Sequence, residues 1–316
     1  MPSQELINKY GRVLVPMITP FTADEEVDHD KLAKLTDHLI EKDYADSLIL
    51  TGSTGEFYTM TDGERIAVWK TIKDANNGRM PLIVGTGGSS TRQAVALTRK
   101  AQEMGFELAM VVAPYYCKPT QEGIYRHFKT VAENTDLPIM LYNIPLFTGV
   151  NLEAETLERL LELPNVMAIK EEAGINPTQS TDFVLTAKRV GREDFSVYCG
   201  DDTMILQVLP QGGVGVVSGG SQVVGGLMKG IIAAYYENDN AKAHELYLRM
   251  YPFFKALVMN GRVSPFPLLR TAITIASGID VGAPRLPLAP ATPDEERAMR
   301  RVVENIQRVG KEGVSA

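Results

Sequence analysis

The chain has 316 residues, 44% of them hydrophobic and 22% charged, a balance that excludes disorder and allows a large core without disulfide staples. Its formal charge of −7 is spread along the sequence, which argues against nucleic acid or an anionic membrane as partner. Two cysteines, Cys117 and Cys199, are too few for a disulfide framework. With no signal-peptide core and no apolar run of about 18 residues, a soluble, cytoplasmic protein is expected.

In chain order, short runs rich in Val, Ile and Leu centre on Leu14, Ile49, Ile83, Val111, Met140, Ala168, Val197 and Val216. All but the last read as near-continuous apolar strands of the kind covered on both faces. The last, in GVGVVSG, is glycine-rich and the weakest. Helical patterns fill the gaps. Leu32, Leu35 and Leu39 follow a candidate N-cap, Asp28, and Thr61 with Glu64 forms a capping-box pattern before Ile66, Trp69 and Ile72. Val95, Leu97, Ala101 and Met104 follow Thr91. Asn151 is expected to cap the stretch bearing Leu157, Leu160 and Leu161, and Phe183, Val184 and Ala187 line the next helix.

Strand centres recur roughly every thirty residues, the length of one βα unit. The expected architecture is an α/β fold, a closed (β/α)8 TIM barrel, with residues 1–224 as the catalytic barrel. Residues 225–316 are expected to form a C-terminal helical extension, its loops punctuated by Pro265, Pro267, Pro284, Pro287 and Pro290.

In such barrels the reacting groups gather at the C-terminal ends of the strands. Those ends carry Gly52–Glu56, Pro114–Tyr116, Tyr142–Asn143, Lys170, Gly200–Asp202 and Val217–Ser218. Lys170 is the only lysine that closes an apolar strand. It is either a solvated strand terminus or a desolvated amine, and desolvation favours the neutral form that a nucleophile needs. The direction of the adjacent Glu171 and Glu172 is left open. Tyr142 ends the preceding strand and reads either as an aromatic stopper over the barrel mouth or as a proton shuttle. Ser53 and Thr54 read either as plain turn residues or as hydroxyls that hold a carboxylate and relay a proton.

Other features carry less. GTGGSS at Gly85–Ser90 lacks the ending of a phosphate loop, and GGVGVVSGG lacks a third glycine in dinucleotide register. His29, His38, His127 and His244 show no metal-ligand spacing. Cys117 and Cys199 read as packed thiols. No cofactor or metal is expected.

GSTGE (Gly52–Glu56), PYYCKPTQEGIYRHF (Pro114–Phe128), YNIPLFTG (Tyr142–Gly149) and IKEEAG (Ile169–Gly174) occur in order. On these motifs the chain resembles the dihydrodipicolinate synthase / N-acetylneuraminate lyase family of class I, pyruvate-dependent aldolases. The resemblance runs from Val15 to the C-terminal helices. It implies that Lys170 forms an imine with pyruvate or another 2-oxo acid, and that Tyr142 moves the proton. It further implies that Ser53 and Thr54 bind the carboxylate, one hydroxyl joining the relay, and that Gly200 and Val217 line the pocket. Tyr116 matches a tyrosine that, in synthase-type members, reaches across a dimer interface to complete the relay. A homotetramer, a dimer of dimers, is implied.

The pattern departs at Phe147, where synthase-type members carry an arginine that binds an acidic aldehyde. That change, with YNIP and GSTGE, resembles sialate lyases and 2-keto-3-deoxy sugar-acid aldolases, whereas the Pro114–Phe128 segment resembles the synthases. Both acceptors stay open, as do a keto-deoxy acid dehydratase using the same imine and a non-catalytic keto-acid-binding barrel. Phe57, Asp62 and Arg65 stand where members with lysine feedback carry smaller or histidine residues, which argues against such feedback.

Overall fold

The computed structural model describes residues 4–172 and 174–312, with side chains to residue 308. Its strands are β1 (Val13–Pro16), β2 (Ser47–Leu50), β3 (Leu82–Gly85), β4 (Ala109–Val112), β5 (Ile139–Asn143), β6 (Val166–Glu171), β7 (Ser196–Cys199) and β8 (Gly215–Val217). They form a closed barrel in sequence order, and parallel pairing of Val13 with Val216 and Leu14 with Val217 joins β8 to β1. Each expected strand centre lies inside a strand. Nearly every strand residue is buried, as expected of β-branched and apolar runs with the barrel interior on one side and helices on the other.

The glycine that opens β8 has a steric cause. A Cβ on Gly215 would come within 2.2 Å of the Arg12 carbonyl oxygen, so no larger residue fits against β1 there.

Helices α1 (Gln4–Tyr10), α2 (His29–Glu41), α3 (Asp62–Asn76), α4 (Thr91–Glu103) and α5 (Gln121–Ala132) precede β5. After it come α6 (Pro145–Thr148), α7 (Ala154–Leu160), α8 (Gln179–Arg189), α9 (Ile205–Val208), α10 (Ser221–Tyr236), α11 (Asn240–Leu257), α12 (Phe266–Ser277) and α13 (Pro293–Glu312). Asp28 caps α2 by accepting from the Lys31 amide, and Thr61 and Glu64 form the reciprocal capping box of α3. Such a cap stabilises a helix by about 1 kcal/mol.

Three expectations need correcting. Asn151 does not cap α7; Glu153 holds that position and makes no side-chain cap bond, while the Asn151 amide is engaged with Asn143 and Gln179. Helix begins at Ser221, before the residue where the strand signals fade. Pro267 lies in the first turn of α12, where a missing N–H costs nothing, instead of in a loop, while Pro265 stays just outside the helix as expected.

The chain divides into two compact units. The first comprises Met1–Leu14, Asp46–Gly52 and Pro81–Ser218; it holds the paired strand residues with α1 and α4–α9. The second comprises Val15–Ala45, Ser53–Met80 and Gly219–Ala316; it holds α2, α3 and α10–α13. Among the described residues no helix is long and apolar enough to cross a membrane.

Candidate active site

Strand β6 reads VMAIKE, and alternation along it sends neighbouring side chains to opposite faces. Lys170 is paired in register with Tyr142 on β5 and Tyr198 on β7. Its side chain is 6% exposed, and its Nζ stands 4.0 Å from the centroid of the Tyr142 ring. Tyr142 is buried, so the aromatic face shields the amine from water on that side. On the β7 side, a Cβ on Gly200 would sit 3.0 Å from Lys170 Cε, and only glycine leaves the lysine stem unobstructed. Val217 closes β8 and is buried.

Glu171 points the other way. It is fully buried, accepting from Asn143 Nδ2 at 2.9 Å and from Gln179 Nε2 at 3.1 Å. Burial pushes its carboxyl up to about 7, with these two amide donors opposing the rise. Glu172 continues the ladder one step past β6, its N–H donating to the Asn143 carbonyl at 3.1 Å. Alternation therefore returns its side chain to the face that carries Lys170. Burial pushes the Glu172 carboxyl up to about 8; Lys170 opposes this, while Asp201, Asp202 and Glu171 add to it. Residue-by-residue alternation along β6 was the signal that assigns both directions. Ala173, within the IKEEAG motif, lies outside the described residues.

Ser53 and Thr54 occupy a short 3-10 turn in the second unit and are buried. Glu56 ends that turn in the left-handed region (φ 58°). Its carboxylate accepts from Arg270 Nη1 at 2.8 Å and from the Arg285 backbone N–H at 3.1 Å. Both guanidiniums also lie over the Phe21 ring, at 4.8 and 4.5 Å from its centroid. Burial raises the Glu56 carboxyl and lowers Arg270, so desolvation outweighs the attraction within the pair. Arg65, fully buried, stacks over Phe57 at 5.0 Å.

The remaining expected residues lie on the surface. Tyr116 is 93% exposed, with φ 72°. Phe147 is exposed on α6. Cys117 is an exposed free thiol and not the packed one expected, whereas Cys199 is buried. Among the described residues no group of three or more His, Cys, Asp or Glu side chains is arranged to hold a metal ion.

The model of the dihydrodipicolinate synthetase family matches residues 9–306. The chain belongs to that family. A 4-hydroxy-tetrahydrodipicolinate synthase from Synechococcus sp. (strain JA-2-3B'a(2-13)) is 42% identical over 299 residues, 94% of each chain. Among solved family structures, a synthase from Cyanidioschyzon merolae with lysine bound superposes with a TM-score of 0.87 at 36% identity, covering 94% of this chain and 98% of that one. A chloride-inhibited dihydrodipicolinate synthase from Acinetobacter baumannii, complexed with pyruvate, gives a TM-score of 0.83 at 32% identity, covering 94% and 99%. This member of the dihydrodipicolinate synthetase family is accordingly a lyase of the Schiff-base, class I aldolase type, and membership carries pyruvate and aldehyde chemistry with it.

Proposed function

We propose that the enzyme joins pyruvate to an aldehyde, or runs the reverse cleavage, through an imine on Lys170. The observation that carries this reading is the buried Lys170 amine against the Tyr142 ring, at the C-terminal end of adjacent barrel strands. The neutral amine adds to the keto carbon, and loss of water leaves a protonated imine. That cation withdraws electrons, so C3 gives up a proton and the resulting enamine attacks the aldehyde carbon. The new alkoxide takes a proton, and water then releases the product and restores the lysine.

In this reading Tyr142 moves the proton at each step, with the Thr54 hydroxyl as relay. Ser53 and Thr54 hold the pyruvate carboxylate, and Gly200 and Val217 line the pocket. Tyr116, exposed and backbone-strained, completes the relay from a second copy in a dimer of dimers. The free thiols Cys117 and Cys199 support a reducing, cytoplasmic setting.

The names of the relatives support 4-hydroxy-tetrahydrodipicolinate synthase activity; in this reading aspartate semialdehyde is the acceptor. Phe147 supports a second reading, an aldehyde derived from a sugar acid, because no bidentate cation stands at that position for an acidic acceptor. Borohydride reduction in the presence of pyruvate tests the shared chemistry: a stable adduct on Lys170 is expected, and its absence refutes the imine. An acceptor series at constant pyruvate then separates the two readings.

A further inference from the structure

We propose that the side-chain quartet of buried Asn143, Glu171 and Gln179 with half-buried Asn151 is a positioning device that sets Lys170 against Tyr142, a role that rests on the imine reading above. Tyr142 and Lys170 form one rung of the β5–β6 ladder, and Asn143 and Glu171 form the next. Alternation puts the first pair on one face of the sheet and the second pair on the other. Any slip or tilt between the two strands that separates lysine from tyrosine must also break the Asn143–Glu171 bond behind them.

The second rung is tied down from two further elements. Asn151, in the connection before α7, accepts from Asn143 Nδ2 at 2.9 Å and from Gln179 Nε2 at 3.0 Å. Its own Nδ2 donates at 2.8 Å to Gln179 Oε1, on the first residue of α8. Asn143 Oδ1 accepts from the Leu152 N–H at 2.9 Å. Lys170 and Tyr142 are therefore each followed by a residue whose side chain is anchored elsewhere, Glu171 to the first residue of α8 and Asn143 to the connection before α7.

The donor and acceptor accounting singles out a carboxylate at position 171. Both Asn143 and Gln179 turn an N–H towards it, and a carboxylate oxygen can only accept. An amide at 171 must set its own N–H against one of those donors. The carboxyl is held by amides and not by a cation, an arrangement that burial makes costly and that an apolar side chain would avoid. Burial raises the Glu171 pKa to about 7, in keeping with that cost. Expense of this kind is justified by geometry at the neighbouring residue.

The test is a cycle of Glu171→Gln, Gln179→Glu and the double swap, each followed by the rate of pyruvate-dependent borohydride trapping at Lys170, by kcat and KM, and by Tm. In the swap an amide at 171 donates to a carboxylate at 179, which still accepts from Asn151, so every inward hydrogen regains an acceptor. Glu171→Gln should slow trapping and lower kcat on the order of tenfold to a hundredfold with KM for pyruvate little changed. The swap should recover most of that loss. If the single variant fails to fold, near-normal trapping by a folded swap supports the proposal, and a folded swap that traps poorly overturns it. A Glu171→Gln protein with lower Tm but unchanged trapping rate reduces the quartet to a structural role and also overturns it. Failure of the unsubstituted enzyme to form any adduct instead overturns the imine reading itself, and this proposal with it.

Discussion

Tyr142 and Lys170 face one another as register partners across the β5–β6 ladder, with the lysine nitrogen 4.0 Å from the tyrosine ring centroid. The proposed mechanism gives the two residues different duties, and their removal should look different. Lys170→Ala should abolish turnover and the borohydride adduct while circular dichroism stays native, since the truncated side chain leaves the barrel packing otherwise intact. Tyr142→Phe keeps the ring but removes the hydroxyl. It should lower kcat by roughly 10²–10⁴-fold, the usual worth of a positioned acid–base group, and still permit slow adduct formation. A Tyr142→Phe enzyme as fast as the parent would take the phenol out of the mechanism.

Phe147 sits on α6, just beyond the β5 end that carries Tyr142. Phe147→Arg should shift acceptor preference towards an acidic aldehyde by about tenfold or more in kcat/KM, a charge-assisted hydrogen bond being worth about 1.5–3 kcal/mol. Pyruvate KM should stay constant. An unchanged acceptor ranking would mean that position 147 does not meet the acceptor.

The stability of the protein should depend on pH through Glu171 and Glu172. Burial lifts them to about 7 and about 8 from an ordinary 4.5. Between those values the folded chain binds more protons than the unfolded one, so stability present below about pH 4.5 is lost as pH rises through about 7 and 8. Each unit of displacement corresponds to about 1.4 kcal/mol. Glu172 feels the charges of Lys170, Asp201, Asp202 and Glu171, and only the first of these favours its ionised form. Glu172→Gln should therefore flatten the fall in Tm between about pH 5 and about pH 9. Identical slopes for parent and variant would show that Glu172 ionises as freely as in the unfolded chain.

Much of this site was legible in the sequence because strand rules are local. A lysine closing an apolar run and a tyrosine closing the preceding one identify a cross-strand pair once the barrel is inferred, and all eight strand centres lie where the apolar runs put them. The quartet was not legible. Its members are linked across 8 to 28 residues of sequence, and Asn151 sits where a helix cap is the economical local reading. Side-chain hydrogen bonds at such separations leave no periodic trace. The Glu56–Arg270 pair, 214 residues apart, is hidden for the same reason.

Lysine should not inhibit. Phe57 and Arg65 are both buried and stacked on each other, with Asp62 opening α3 beside them in sequence. The resemblance places smaller or histidine residues at these positions in members that bind lysine as an effector. Titration to millimolar lysine should leave kcat and KM unchanged, and inhibition that saturates would restore the feedback site.

Glu56 and Arg270 form a buried ion pair whose removal should act on both stability and substrate binding. Arg270 donates to Glu56 and to the carbonyls of Thr19, Val281 and Gly282, so Arg270→Met leaves a carboxylate and three acceptors short of a donor. Breaking one side of such a pair costs about 3–5 kcal/mol, mainly from the charge left behind. Glu56→Gln in the Arg270→Met background should therefore recover part of the loss, because the residual group is then neutral. Glu56 ends the turn of Ser53 and Thr54, which hold the pyruvate carboxylate in the proposed mechanism, so variants that loosen it should raise pyruvate KM more than they lower kcat. Chemical denaturation with steady-state kinetics on the parent, Glu56→Gln, Arg270→Met and the double variant checks both halves. Strict additivity of the two substitutions would show that the pair is not coupled in the folded enzyme.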